Sequence, residues 1–141
     1  MSKINFTTGN IARSIASDFK NTNVELNKVG REIYATAISE IAFAVDGNAE
    51  LSGIVKKWLI AIAKVLKDDS KEINQDDRNL YARILEVAAT FIENASPRCI
   101  KTSKSDYMEL INANNIEELI EGDFNKLVKL DDGKIVIFNV A

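Results

Sequence analysis

The chain of 141 residues has a net charge of −3, is 46% hydrophobic and 28% charged, and contains one cysteine, one proline and no histidine. These values fit a soluble globular domain able to bury a core without disulfides or metals, and one cysteine excludes an internal disulfide framework. The missing histidines remove the commonest general base and the commonest metal ligand. Residues 1–103 hold 14 basic and 13 acidic side chains, net +1, and residues 104–141 hold 4 and 8, net −4, so the acidity sits in the last third.

Ile4–Phe6 reads as a short strand or a lead-in. Thr7 or Thr8 then caps a first helix carrying Ile11, Ile15 and Phe19 at i, i+4, i+8 and ending near Lys20. Thr22 and Glu25 form a capping-box pattern for a second helix reaching about Val45, with Leu26, Val29, Ile33, Ala37, Ile38, Ile41 and Val45 as its buried stripe. Gly30 inside it suggests close helix packing. Asp46-Gly47-Asn48 reads as a glycine C-terminus followed by an N-cap.

Ala49–Asp68 is the longest strongly apolar segment and holds the only tryptophan, Trp58. At 100° per residue, Leu51, Ile54, Val55, Trp58, Leu59, Ala61, Ile62, Val65 and Leu66 share one side, with Lys56, Lys57, Lys64 and Lys67 on the other. Such a broad apolar face predicts a central helix with Trp58 buried. Asn74 is the best cap for a following helix over Asp76–Ala95, ended by Pro97.

Ser96–Lys104 reads as a linker. Asp106 and Glu109 start a short helix through Ile111, Asn112–Asn115 breaks it, and Asn115 caps another over Ile116–Glu121. Lys126–Leu130 and Ile135–Val140 flank an Asp-Gly turn, a strong hairpin signal that would set Asp131 opposite Lys134. An isolated hairpin is marginal, so it must dock on the bundle, gain a strand or pair with another subunit. The expected fold is therefore mainly α: a bundle of four main helices plus two short helices, ending in a C-terminal β-hairpin. Residues 1–97 form the bundle, 98–104 the linker and 105–141 the rest, packed into one compact domain.

Residues that carry chemistry are sparse. The acidic run Asp68, Asp69, Glu72, Asp76, Asp77 fails the calcium-loop spacing, because its sixth position is Ile73 and its twelfth is Asn79. Glu118 and Glu121 are the only paired carboxylates of the kind an all-α metal-dependent hydrolase uses. Cys99 has basic neighbours, Arg98 and Lys101, but no histidine to activate it. Gly-rich phosphate loops are absent. The order helix, turn, helix, hairpin imitates a winged helix, yet its recognition helix would present Glu117, Glu118 and Glu121 to phosphates, which opposes binding.

No catalytic, metal or cofactor-binding residue is expected, and no cofactor. The residue-level candidate is an interaction surface. Ile60 lies amid Lys56, Lys57, Lys64 and Lys67, and the acidic segment with Glu117, Glu118 and Glu121 is its charge complement. Either these close on each other within a subunit or one engages a partner. The expected function is non-enzymatic: a protein–protein interaction module or small regulatory or inhibitor protein that binds another protein, as a homo-oligomer. The alternatives are nucleic-acid or nucleotide binding through the lysine face of helix 49–67, and the hydrolase. No membrane span is expected, since the longest unbroken apolar run is Trp58–Ala63 against the about 20 residues needed. With no apolar signal-peptide core in residues 1–10 and an unpaired cysteine, a cytoplasmic location is expected. The excess of lysine over arginine, 13 to 5, with many Asn and Ile, suggests an AT-rich bacterial or phage source.

Overall fold

The computed structural model describes residues 3–45, 49–93, 98–113, 116–132 and 134–140. These form five helices and four strands in two compact units, residues 1–47 with 52–95, and residues 48–51 with 96–141.

The first unit contains α1 (Lys3–Lys20), α2 (Lys28–Ala44), all but the start of α3 (Ala49–Lys67), and α4 (Gln75–Ile92). Residues 4–6, expected as a strand or lead-in, belong to α1, so neither Thr7 nor Thr8 is its cap. Gly9 does not end the helix either. It lets α1 approach α4, where an added Cβ would collide with the Glu93 side chain. Arg13 secures the same spot by two hydrogen bonds to the Glu93 carboxylate, at 3.1 and 2.7 Å.

The α2 start falls later than the Thr22–Glu25 box suggested. Asn21 closes a local turn by accepting from the Asn23 N–H at 2.9 Å, and Asn27 is the cap, accepting from the Gly30 N–H at 2.8 Å. Gly30 thus stands in the first turn, a donor to the cap, and is not a packing glycine of the helix interior. The α4 start matches expectation: Asn74 and Asp77 form a reciprocal capping box, with both side-chain-to-backbone bonds made. The residues 46–48 turn, Ala95 and the Pro97 stop lie outside the described residues.

Two arginines finish two helices. The Arg31 guanidinium, on α2, donates to the carbonyls of Val65, Leu66 and Asp68 at 2.8, 2.9 and 2.8 Å. Arg78, on α4 and only 9% exposed, donates to Phe19, Asp18 and Asn21 carbonyls at 2.9, 3.0 and 2.9 Å. The last carbonyls of a helix have no intrahelical donor, and a cation there also opposes the negative end of the dipole.

Helix rotation differs from the periodic reading in two places. On α2 the buried residues are Ala35, Ile38, Ile41 and Ala42, whereas Val29 and Ile33 are exposed. The helix carries two apolar stripes, and Arg31, which shares a face with Ile38 and Ala42, turns that side toward the end of α3. On α3, Leu51, Val55, Leu59, Ile62 and Leu66 are buried as expected, but Trp58 is 36% exposed. It lies at the margin of the buried arc, part of its ring exposed.

The second unit corrects the sequence reading further. Residues 98–102 are not a linker but β1 (Arg98–Thr102), and residues 117–121 are not a helix but β2 (Glu117–Glu121). With α5 (Lys104–Ala113), β3 (Asn125–Lys129) and β4 (Ile135–Val140) they give a sheet of order β1-β4-β3-β2. Strand β1 runs parallel to β4, and the other pairs are antiparallel. The expected hairpin is therefore β3–β4, flanked by a strand on each side. Its register sets Lys129 against Ile135, and the Leu130 N–H donates to the Lys134 carbonyl at 2.8 Å. Lys134 faces Leu130 rather than Asp131, and that one-residue shift exchanges the two faces of β4 relative to expectation. The expected break at residues 114–115, with the cap at Asn115, and Gly133 of the turn lie outside the described residues.

On one face of this sheet Val128, Val136 and Phe138 pack with Tyr107 of α5, the Tyr107 and Phe138 rings 5.6 Å apart. On the other face Ile120, Leu127 and Ile137 are buried as well.

Candidate functional site

Among the described residues of the helical unit, three surfaces stand outside its own packing. The first is a groove of about 230 Å³ between α3 and α4. Trp58, Ala61, Ile62 and Val65 form one wall, and Leu80, Tyr81 and Ile84 the other. These positions follow from helix geometry, because 58, 61, 62, 65 and 80, 81, 84 each recur at i, i+3/i+4 on one flank. Leu80 is 50% exposed. Tyr81 holds its phenol proton more tightly than usual, first because of burial and then because of the nearby Asp77 carboxylate.

The second surface is the lysine face of α3. Ile60 is 48% exposed, Lys57, Lys64 and Lys67 are exposed, and Lys56 is half-buried. The third runs along α2. Val29, Ile33 and Phe43 are 66%, 62% and 88% exposed, with Thr36 and Glu40 between them. A shallow depression there is lined by Val29, Glu32, Ile33, Thr36, Ala37 and Glu40.

The expected acidic complement is placed differently. Glu117, Glu118 and Glu121 stand on β2 in the second unit, where each has a cross-strand neighbour on β3. Glu117 pairs with Lys129 and Glu121 with Lys126 in the strand register. Lys126 also bonds the Glu121 carboxylate at 3.3 Å, and the Tyr107 hydroxyl donates to Glu118 at 2.8 Å. Burial, then the Glu118 hydrogen bond, pushes the Tyr107 pKa well above the usual tyrosine range. The structure thus keeps the lysine face together as a group and the carboxylates together as a group, in separate units.

A further polar cluster lies wholly within the second unit. The Glu50 carboxylate accepts from the Phe124 N–H at 3.3 Å and from the Asn125 amide. Gly122 fits closely beside it, since a Cβ there would meet that carboxylate and lie 3.0 Å from the Asn125 carbonyl oxygen. Burial pushes the Glu50 pKa up, but the bonds from Asn125 and from the backbone of Phe124 and Asp123, with Lys126 nearby, outweigh it and hold the group below its ordinary value. Its hydrogen bonds tie a helix start to the β2–β3 turn, a structural task.

Sequence reasoning does not mark Leu80 and Tyr81 as groove residues or Phe43 as a surface residue, and it places Val29 and Ile33 in the buried stripe of α2. The available signal was on α2, where Phe43 continues the Val29–Ile33–Thr36–Glu40 spacing away from the Ile38–Ile41 stripe.

Cys99 is exposed. Among the described residues, no group of three or more His, Cys, Asp or Glu side chains is arranged to hold a metal ion, and no helix is long and apolar enough to cross a membrane. No family model matches this chain, and neither a curated protein nor a solved structure matches it.

Proposed function

We propose that the chain is a non-enzymatic protein-binding module, of the kind used by small regulatory or inhibitory proteins. Its α3–α4 groove receives the apolar side chains of a partner protein's helix. The observation that carries this reading is Trp58: a large aromatic ring, part exposed, on the wall of a groove otherwise lined by aliphatic side chains and Tyr81. Tryptophan and tyrosine are enriched among the few residues that carry most of the binding energy of a protein interface. A helix offering anchors at i, i+3/i+4 and i+7 fits a groove between two helices. At about 230 Å³ the groove is below the 300–1,000 Å³ usual for small-molecule sites, and it lacks the convergent polar groups that orient a reacting substrate.

The test uses the sole tryptophan. A photo-crosslinking residue at Leu80 identifies the partner, and the purified partner should then shift and quench Trp58 emission. Trp58→Ala and Leu80→Asp should each weaken binding more than about tenfold while the helical circular dichroism is unchanged. Binding that survives both substitutions at full strength refutes the groove reading.

A further inference from the structure

We propose that a second copy of this chain docks on the first through a reciprocal contact in which the α2 stripe of each copy lies against the lysine face of α3 of the other. This goes beyond the groove reading and uses different residues. The occupant is specified by charge and by register. Along α2, the exposed apolar residues Val29, Ile33 and Phe43 are accompanied by Glu32 and Glu40. Along α3, exposed Ile60 is accompanied by Lys57, Lys64 and Lys67. An apolar row with carboxylates meets an apolar residue with ammonium groups, and both belong to one polypeptide.

Neither stripe pairs well with its own kind. Two α2 stripes laid antiparallel about Thr36 would bring Glu40 onto Glu32, and two α3 faces would oppose lysines. The crossed arrangement has neither fault.

The register follows from contacts within one copy. Arg31 bonds the Leu66 and Val65 carbonyls, so the start of α2 lies beside the end of α3, and only four residues separate Ala44 from Ala49. The two helices are antiparallel, and Arg31 stands level with about Leu66. Advancing equally along both puts Glu40 level with Lys57, Ile33 with Lys64, Thr36 with Ala61 beside Ile60, and Phe43 with Ile54 beside Gly53. A two-fold axis parallel to the helices preserves these levels while exchanging the copies. Glu40 then meets Lys57, and Glu32, level with Val65, lies one residue, about 1.5 Å along the axis, from Lys64. Phe43, which its own copy leaves 88% exposed, meets Gly53, where a Cβ would find nothing within 4 Å. The exposed Phe43 ring therefore faces open space beside α3. The Lys67 stem covers Val29 with its ammonium in water.

The experiment is a charge exchange read by sedimentation velocity on the full chain. Wild type should dimerise at sub-millimolar concentration, more weakly as salt rises, because the rim charges are screened. Glu32→Lys with Glu40→Lys, and separately Lys57→Glu with Lys64→Glu, should each weaken self-association more than about tenfold. Mixed one to one, the two variants should regain a dimer, since one contact then has its charges reversed on both sides and the other is wild type. Phe43→Lys should give a monomer whose melting temperature is unchanged, as the side chain is exposed in one copy. Trp58→Ala should leave dimerisation intact, which separates this inference from the groove reading. A wild-type monomer at sub-millimolar concentration overturns the proposal, as do charge variants that still dimerise, or a mixture that stays monomeric.

Discussion

Replacing Arg78 with alanine should destabilise the helical unit more than any other single polar substitution in it. The side chain is 9% exposed and donates three hydrogen bonds to carbonyls at and beyond the end of α1, at 2.9 to 3.0 Å. A hydrogen bond from a charged donor is worth about 1.5–3 kcal/mol. The three share one guanidinium and are not additive, and truncation lets water reach some of the released carbonyls. The expected cost is therefore about 2–4 kcal/mol, or a fall in melting temperature of about 10 °C or more for a unit of this size. Arg78→Lys keeps the charge but loses the planar fork, so it should fall between wild type and alanine. The control is Arg13→Ala, which removes a bidentate pair whose arginine side chain is 46% exposed and should cost about 1 kcal/mol or less. Thermal and urea unfolding followed by circular dichroism at 222 nm measures all three. If Arg78→Ala melts within about 2 °C of wild type, or no lower than Arg13→Ala, capping by Arg78 is not what holds the end of α1.

Gly53→Ala should stabilise the protein by up to about 1 kcal/mol, since the added Cβ meets nothing in one copy; urea titration reads the gain. Trp58→Ala should cost about 1–2 kcal/mol, less than a buried large side chain, whereas Leu59→Ala at 0% exposure should cost about 2–5 kcal/mol. Glu50, whose pKa is held low by Asn125 and backbone donors against burial, stabilises the fold above its unfolded pKa of about 4.3. That contribution should fade as pH drops below this value through the folded pKa, and Glu50→Gln should lack the acid-dependent loss when unfolding is titrated against pH. Tyr107 has the opposite sign: its pKa is raised by burial and by Glu118, so stability should fall as pH rises past about 10. Tyr107→Phe should remove that alkaline loss while costing about 0.5–1.5 kcal/mol near neutrality.

What could be read from the sequence was local. Helix α4 is announced by its Asn74 cap, and α3 by its length and lysine-backed amphipathicity. Strand β2 was hidden because Glu-Glu-Leu-Ile-Glu has good helix formers and no strand alternation. Its strand state comes from β3, where Lys129 and Lys126 stand opposite Glu117 and Glu121, and such cross-strand pairs override propensity. The clue was mirrored charge about the Gly122-Asp123 turn. Strand β1 gave less, because its partner β4 lies more than thirty residues away and the pairing is parallel, so no turn chemistry records it.

The candidate surfaces were harder to read than the fold for a related reason. Periodicity finds which residues could share a face, but it treats every apolar face as core. Helix α2 has two such faces, and the choice between them was made by Arg31, a residue whose partners are carbonyls on another helix. Once Arg31 sets the rotation, Ile38 and Ile41 turn inward and Val29, Ile33 and Phe43 are left outside. On α3, Lys57, Lys64 and Lys67 beside Ile60 stand on the solvent side as expected while Lys56 is half-buried, and the partial exposure of Trp58 departs from the expected core place because it depends on how far α4 covers it. In both helices the residues misassigned to the core are those the proposed interactions use. An interface residue must be apolar enough to bind and placed so that its own chain leaves it exposed, and only the second condition requires the fold.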